Sequence, residues 1–449
     1  MKQLTNKTIW LFAIGQLGWS LLAALITNWL VYIYQPDATN IAAGQTVFIP
    51  QGLVILGIAT VVGGITALGR LFDAITDPWI ANCSDNSKNP KGRRIPFMKA
   101  IAVPFAVLTV LVFWSPVNGI SGWNVAWLLI TLLLFYLCMT TYCTPYNALI
   151  PELSRTNEDR INISTYISVT FLLGSAIAYA APFIWGALEP SMGRVMAQRI
   201  TFVGMAAIAL VCLLVPVFTI NEKDYAAPTP AGGNAFASLK KTFANRAFCV
   251  FVGSDILYWI ALTIFQTGLA FFVTSLMGLP ETMTTVLYIG MTLLSFACYL
   301  PVNRISKKTG KKKLVLIGFC GLSGVYLLTA FSGMFGISGY LWGAIVVVCA
   351  AFPMAILGIL PQAIVADIAL SESIATGESR EGMFYAARTF AFKMGQSVAM
   401  ILFTAFASIG TGGFGYRIAA VAATVLCLGG AAVLAKYNEA AVMEIIKQK

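Results

Sequence analysis

Twelve apolar runs, near residues 8–34, 46–82, 96–115, 123–152, 161–188, 198–220, 247–277, 281–303, 314–334, 339–370, 381–410 and 414–436, leave this chain few ways to fold. About twenty apolar residues in an α-helix, at about 1.5 Å each, cross a hydrocarbon core of about 30 Å. Hydrocarbon gives the backbone no hydrogen-bond partners, so a spanning segment is a helix or part of a closed barrel. Barrel strands are short and alternate polar with apolar residues, which these runs do not. Only 10% of the 449 residues are charged and 58% are hydrophobic, with a mean hydropathy of +0.81. Soluble domains carry about 25% charged residues. The expected fold class is an all-α membrane protein with 12 transmembrane helices. The first run is too long for the apolar region of a cleavable signal peptide.

The formal charge of +11 would suit nucleic acid if it were spread over one face. Instead it follows the connections between runs. One side holds Lys88, Lys91, Arg93, Arg94, Arg155, Arg160, Lys223, Lys240, Lys241, Arg246, Arg304, Lys307, Lys308, Lys311–Lys313 and Arg380. With the tails it collects 22 of the 29 basic residues, and the opposite connections hold only Arg194, Arg199 and Arg417. Basic loops stay on the cytoplasmic side, so both termini are expected there, and no nucleic-acid partner is expected. The nine cysteines are scattered without a CxxC pair and read as free thiols. There is no histidine, so proton chemistry would fall to a carboxylate or a lysine.

The segment 221–246 is the least apolar connection, and it holds Pro228, Pro230, Gly232 and Gly233. It divides the chain into a six-helix half (1–220), a central cytoplasmic linker (221–246), a second six-helix half (247–436) and a cytoplasmic tail (437–449). A weak repeat supports this division. Asp85 is followed after six residues by Gly92-Arg93-Arg94, and Asn303 after six residues by Gly310-Lys311-Lys312, an offset of 218 residues (310 less 92). A parallel repeat of six-helix halves marks the major facilitator fold, in which the substrate site is expected between the halves near the midplane.

The second run carries Arg70, Asp73 and Asp77. Each charge at bilayer depth costs about 2.5–3.5 kcal/mol even on lenient scales, so such residues mark function. Asp73 and Asp77 are four apart and share one helix face. Two carboxylates there need a cation, a proton or a basic side chain, which suggests the coupling site of a transporter. One alternative is that Arg70 neutralises Asp73 at i,i+3 and leaves Asp77 as a proton site. Pro78 cannot donate to the carbonyl of Ala74, which frees a further oxygen beside the pair.

Three blocks carry a family resemblance. They are Gly69-Arg70-Leu71-Phe72-Asp73-Ala74-Ile75-Thr76-Asp77-Pro78 with Lys91-Gly92-Arg93-Arg94, then Pro145-Tyr146-Asn147-Ala148-Leu149-Ile150-Pro151-Glu152, then Ala366-Asp367 with Thr376-Gly377-Glu378-Ser379-Arg380-Glu381-Gly382 and Lys393. Together they resemble the glycoside–pentoside–hexuronide:cation symporters, which include melibiose and glucuronide carriers, of the major facilitator superfamily. The resemblance implies cation-coupled symport of a sugar by alternating access, with Na⁺, H⁺ or Li⁺ as coupling ion and no other cofactor. It implies Asp73, Asp77, Thr76 and Thr140 as cation ligands, with Lys393 and Arg70 balancing charge. Asp85, Arg93, Arg94, Glu152, Arg160, Asp367 and Arg380 are expected to form cytoplasmic gates. For substrate the candidates are Trp19, Ser20, Tyr142, Cys143, Tyr146, Asn147, Arg388 and Thr389. Ser20, Cys143 and Ser168 stand where galactoside members carry charged sugar contacts, so melibiose itself is not the expected cargo, while Arg388 and Lys393 leave an anionic sugar open.

Two other readings compete. A carrier of the same fold could move an amphipathic or lipid-like substrate, and a non-transporting membrane sensor would have no need of Asp73 and Asp77. No Ser/His, metal-ligand or nucleotide-binding constellation is present, so an enzyme is not expected. The expected setting is the inner (plasma) membrane of a bacterium, with the chain functioning as a monomer.

Overall fold

A computed structural model describes residues 5–90, 92–153, 157–225, 241–377 and 381–447. Among them the ordered elements are helical: α1 (Asn6–Tyr34), α2 (Ala38–Ala42), α3 (Val61–Asp85), α4 (Ile95–Val112), α5 (Gly122–Leu153), α6 (Asn157–Tyr179), α7 (Ala181–Met192), α8 (Arg194–Thr219) and α9 (Glu222–Tyr225). They continue with α10 (Arg246–Phe271), which runs into a π-helical turn (Phe272–Leu276), then α11 (Thr282–Thr309), α12 (Lys311–Ala330), α13 (Gly339–Thr376), α14 (Glu381–Ala407), α15 (Phe414–Leu434) and α16 (Glu439–Lys447). The chain falls into two compact units, Met1–Gly232 and Gly233–Lys449, and both limits lie within the segment 221–246.

Among the described residues, eleven spans are long and apolar enough to cross a membrane, with α6 and α7 together forming one of them. The helix missing from that set is α3, which is 25 residues long but carries Arg70, Asp73, Asp77 and Asp85. The second span is also shorter than its apolar run. Residues 46–60 are not helical, because Gly52 (φ +84°) and Gly57 (φ +70°) turn the chain. Phe48 and Ile49 are buried there without entering the helix. Helix α3 begins only where the Thr60 hydroxyl accepts the Gly63 N–H at 3.0 Å. The other expected spans agree with the helices to within a few residues.

The short repeat in the sequence has a structural counterpart in each unit. In the first, the Glu222 carboxylate accepts the N–H groups of Arg93 (2.8 Å), Arg94 (2.8 Å) and Ile95 (3.2 Å), which caps the start of α4 from the far end of the unit. In the second, Glu439 accepts the N–H groups of Lys311 (2.8 Å) and Lys312 (3.1 Å) at the start of α12. These helices have no capping side chain at their own first turn, so a carboxylate supplied by a distant helix serves both the orphan N–H groups and the helix dipole. Glycine precedes both caps: Gly92 (φ +124°) and Gly310 (φ +86°). A Cβ at Gly92 would collide with Glu222, and one at Gly310 would come within 3.0 Å of Glu439 Oε2.

Because Gly92 and Glu222 act as one unit, Gly92→Ala and Glu222→Ala are each expected to cost about 1–2 kcal/mol, or roughly 3–6 °C in melting temperature. The double variant should melt no lower than the worse single one, as shared interactions are not additive. Thermal unfolding of the detergent-purified protein reads this out, and full additivity would refute the unit.

Candidate functional site

Helices α3 and α5 pack side by side in constant register. Thr140 Oγ1 donates to Asp73 Oδ1 at 2.7 Å, and one turn on Thr144 Oγ1 donates to Asp77 Oδ1 at 3.3 Å, both 67 residues apart in sequence. An offset that stays fixed means that the two helices run parallel, so acids four apart on one meet hydroxyls four apart on the other. The Thr76 hydroxyl joins at 3.4 Å from Thr140 Oγ1, while it also bonds back to the carbonyls of Phe72 (3.0 Å) and Asp73 (3.2 Å). Asp73 is wholly buried and Thr140 is 1% exposed, whereas Asp77 and Thr144 are half-buried. The cluster therefore has a closed end at Asp73 and a more open end at Asp77.

All four expected cation ligands lie together in this cluster. Thr144 was not foreseen; its signal in the sequence was a Thr140/Thr144 spacing equal to that of Asp73 and Asp77. Chemically the group is a set of oxygen donors, two carboxylates and three hydroxyls, of the kind that hard cations take. Arg70 is directed elsewhere: Nη2 donates to Thr27 Oγ1 of α1 at 2.9 Å, and the guanidinium lies 5.3 Å over the Tyr136 ring.

The expected gating residues of the first unit also cluster. Arg94 Nη1 donates to Ser84 Oγ at 2.7 Å, and Arg94 pairs with Asp85 and with Glu152 (3.2 Å), which Arg93 also reaches at 3.1 Å. In the second unit Asp367 pairs with Lys311. Arg380 and the side chain of Arg160 lie outside the described residues. Glu222 and Glu439 were missed, because nothing in a local window links an acid to a helix start more than a hundred residues upstream.

The substrate candidates divide. Tyr142 and Tyr146 are wholly buried, and their hydroxyls donate to backbone carbonyls, of Leu213 (2.8 Å) and Phe12 (2.8 Å). Ser20, 1% exposed, donates to the Leu17 carbonyl at 3.1 Å. The two tyrosines pack helices together, contrary to the expectation of substrate contacts, because their hydroxyls are already used in helix interfaces, and the Ser20 hydroxyl is used within its own helix. Arg388 departs too: Nε and Nη2 grip Asp255 Oδ2 (2.7 Å) and Oδ1 (3.0 Å) in a two-pronged, buried pair between α10 and α14. A guanidinium spent on a carboxylate has no net charge to offer an anionic sugar. Asn147 is exposed, and Trp19, Cys143, Thr389 and Lys393 are half-buried.

Removing one member of a buried pair strands the other charge, at a cost of about 3–5 kcal/mol. Asp255→Ala is therefore expected to unfold well below wild type, and Asp255→Ala combined with Arg388→Ala to recover most of the loss. Thermal unfolding in detergent, with the Arg388→Ala single variant alongside, tests it; a double variant as unstable as Asp255→Ala would show that the pair is not the cause.

Known proteins give the family. The family described as MFS/sugar transport protein matches residues 11–433. The chain is 27% identical over 402 residues to the uncharacterized symporter YjmB of Bacillus subtilis (strain 168), covering 88% of this chain and 84% of that protein. To the isoprimeverose transporter of Lactiplantibacillus pentosus it is 23% identical over 267 residues, 58% of this chain and 54% of that one. Among solved structures it is similar to a bacterial homologue of the human lysosomal transporter Spinster, with a TM-score of 0.68 at 14% identity, covering 100% of this chain and 99% of the other. That last likeness speaks to the major facilitator fold alone. With the family matched across nearly all of its spans, this chain belongs to the MFS/sugar transport family of multi-pass membrane transporters.

Proposed function

We propose that this transporter is a cation-coupled symporter of an uncharged sugar or glycoside. The paired rungs Asp73–Thr140 and Asp77–Thr144 carry this reading, since they gather five side-chain oxygen ligands on two parallel helices. Two neighbouring carboxylates repel, so the pair is stabilised by holding one cation. Na⁺ suits the set better than H⁺, because protonation needs a single acid and the hydroxyls would have no part in it. The family description and the symporter and sugar-carrier relatives support the same class of cargo.

Charge counting gives the cycle its form. The residues deep within the spans are Arg70, Arg388 and Lys393 against Asp73, Asp77 and Asp255, so the empty carrier is neutral there and returns without a charge. One bound Na⁺ with a neutral sugar makes the loaded carrier positive. The bacterial plasma membrane, with both termini cytoplasmic, is the setting we propose, and there the membrane potential drives the loaded step by about 2.3 kcal/mol per 100 mV.

Proteoliposome counterflow with radiolabelled xylose, glucose, isoprimeverose, melibiose, glucuronate and lysophosphatidylcholine, with and without Na⁺ at fixed pH, tests the class. Uptake of a neutral sugar is expected to rise with Na⁺ and with an inside-negative potential. Uptake confined to the lysolipid would replace the sugar reading with a lipid one. Asp73→Asn and Asp77→Asn are each expected to abolish Na⁺ stimulation, and Thr144→Val to raise the half-saturating Na⁺ concentration about three- to tenfold, the worth of one hydrogen bond or ligand. Undiminished stimulation in Asp77→Asn would sink the site assignment.

A further inference from the structure

Helices α10 and α14 also pack in constant register, here 133 residues apart. Asp255 meets Arg388, and three turns on Thr267 Oγ1 meets Met400 Sδ at 3.6 Å, both at that separation. Between them Trp259 stacks on Phe392, with centroids 4.6 Å apart and planes at 24°, again an offset of 133 (392 less 259). The remaining rung pairs Thr263 with Gln396 by the same register. Thr263 is 1% exposed and Gln396 9% exposed. Trp259 and Thr263 straddle the midpoint of the 31-residue span Arg246–Leu276.

Two donors on this face have no hydrogen-bond partner: Trp259 Nε1 and Thr263 Oγ1, one turn apart and both buried. A helical threonine ordinarily bonds the carbonyl four residues back, as Thr274, Thr292, Thr329 and Thr404 do here. Thr263 does not. An indole N–H can only donate, and leaving such a group unpaired in an apolar interior costs about 1–3 kcal/mol. The first unit repeats the arrangement. Trp19 on its first helix has a buried, partnerless Nε1 beside Phe171 of α6, with centroids 6.2 Å apart.

We infer that Trp259, Thr263 and Gln396 form a hydroxyl-binding subsite for the uncharged sugar, with Trp259 Nε1 donating to a ring hydroxyl and Thr263 and Gln396 exchanging hydrogen bonds with its neighbour. The inference rests on the symport reading above and deepens it. The rung below offers little to a uronate carboxylate, since Arg388 is already paired with Asp255. The rung above, Thr267 on Met400, closes the polar patch. The subsite therefore reads two adjacent hydroxyls of a neutral ring.

Equilibrium exchange in proteoliposomes tests this, using the neutral sugar that wild type carries best and its monodeoxy analogues. Thr263→Val and Trp259→Phe keep shape and ring while removing the donor. Each is expected to raise KM about three- to tenfold, with half-saturation by Na⁺ unchanged and a melting temperature no lower than that of wild type, while Thr267→Val leaves KM alone. At least one monodeoxy sugar should lose affinity for wild type but not for Thr263→Val, a readout that a packing role would not move. Unchanged KM in both variants, or equal deoxy penalties in wild type and variants, would overturn the subsite while leaving symport intact. Wild type carrying no neutral sugar would overturn both, and that arm is read before any variant is made.

Discussion

In hydrocarbon a polar group without a partner is costly, and that single constraint orders this molecule. Serine and threonine hydroxyls along the spans bond back to carbonyls of the previous turn, as Thr66, Thr131 and Thr424 do. The buried Tyr142 and Tyr146 reach across to carbonyls of other helices. Asp255 is matched by Arg388, and Asp73 by Thr140. Against that background two places stand out: the carboxylates of Asp73 and Asp77, which accept from threonine hydroxyls, and the donors Trp259 Nε1 and Thr263 Oγ1, which have no hydrogen-bond partner. Paired carboxylates lined by hydroxyls suit a site for an ion that comes and goes. Uncompensated donors suit a site for a hydroxylated cargo.

Constant register is how the fold delivers those groups. The α3/α5 and α10/α14 pairs are parallel, and parallel helices keep the same sequence offset turn after turn, so one close contact determines the next. A substitution at one rung acts on its neighbours through this geometry, as the ion pair Asp255–Arg388 and the stack Trp259–Phe392 share one offset between the two helices. The positions of the chemistry follow from packing rather than from any flexible loop.

Much of this was legible in the chain itself. Apolar runs gave helices, and charge embedded in a run gave the cluster of carboxylates and hydroxyls, because both signals are local in sequence. The start of α3 was not legible: residues 46–60 are apolar enough to read as span, and only the turns at Gly52 and Gly57 exclude them. The roles of Tyr142, Tyr146, Ser20 and Arg388 were also hidden, since a polar residue in a span looks the same whether it faces cargo or a neighbouring carbonyl. Thr144 lay in plain sight at a spacing of four, but its partner is set by the register of two helices separated by a third. Glu222 and Glu439 depend on contacts spanning 129 and 128 residues, beyond any local pattern.

Those two distant carboxylates have a bearing on how the chain is made. Helix α4 enters the bilayer with its first N–H groups exposed, and the residue that satisfies them emerges from the ribosome 129 residues later. At a synthesis rate of about 5–20 residues per second, that is a wait on the order of ten seconds. During it the half-built bundle holds an unfinished helix end at the cytoplasmic surface. The arrival of Glu222 closes the first unit, and the second repeats the sequence of events with Glu439. Each unit is thus completed by an acid near its own end, which makes the unit, rather than the single span, the natural step of assembly.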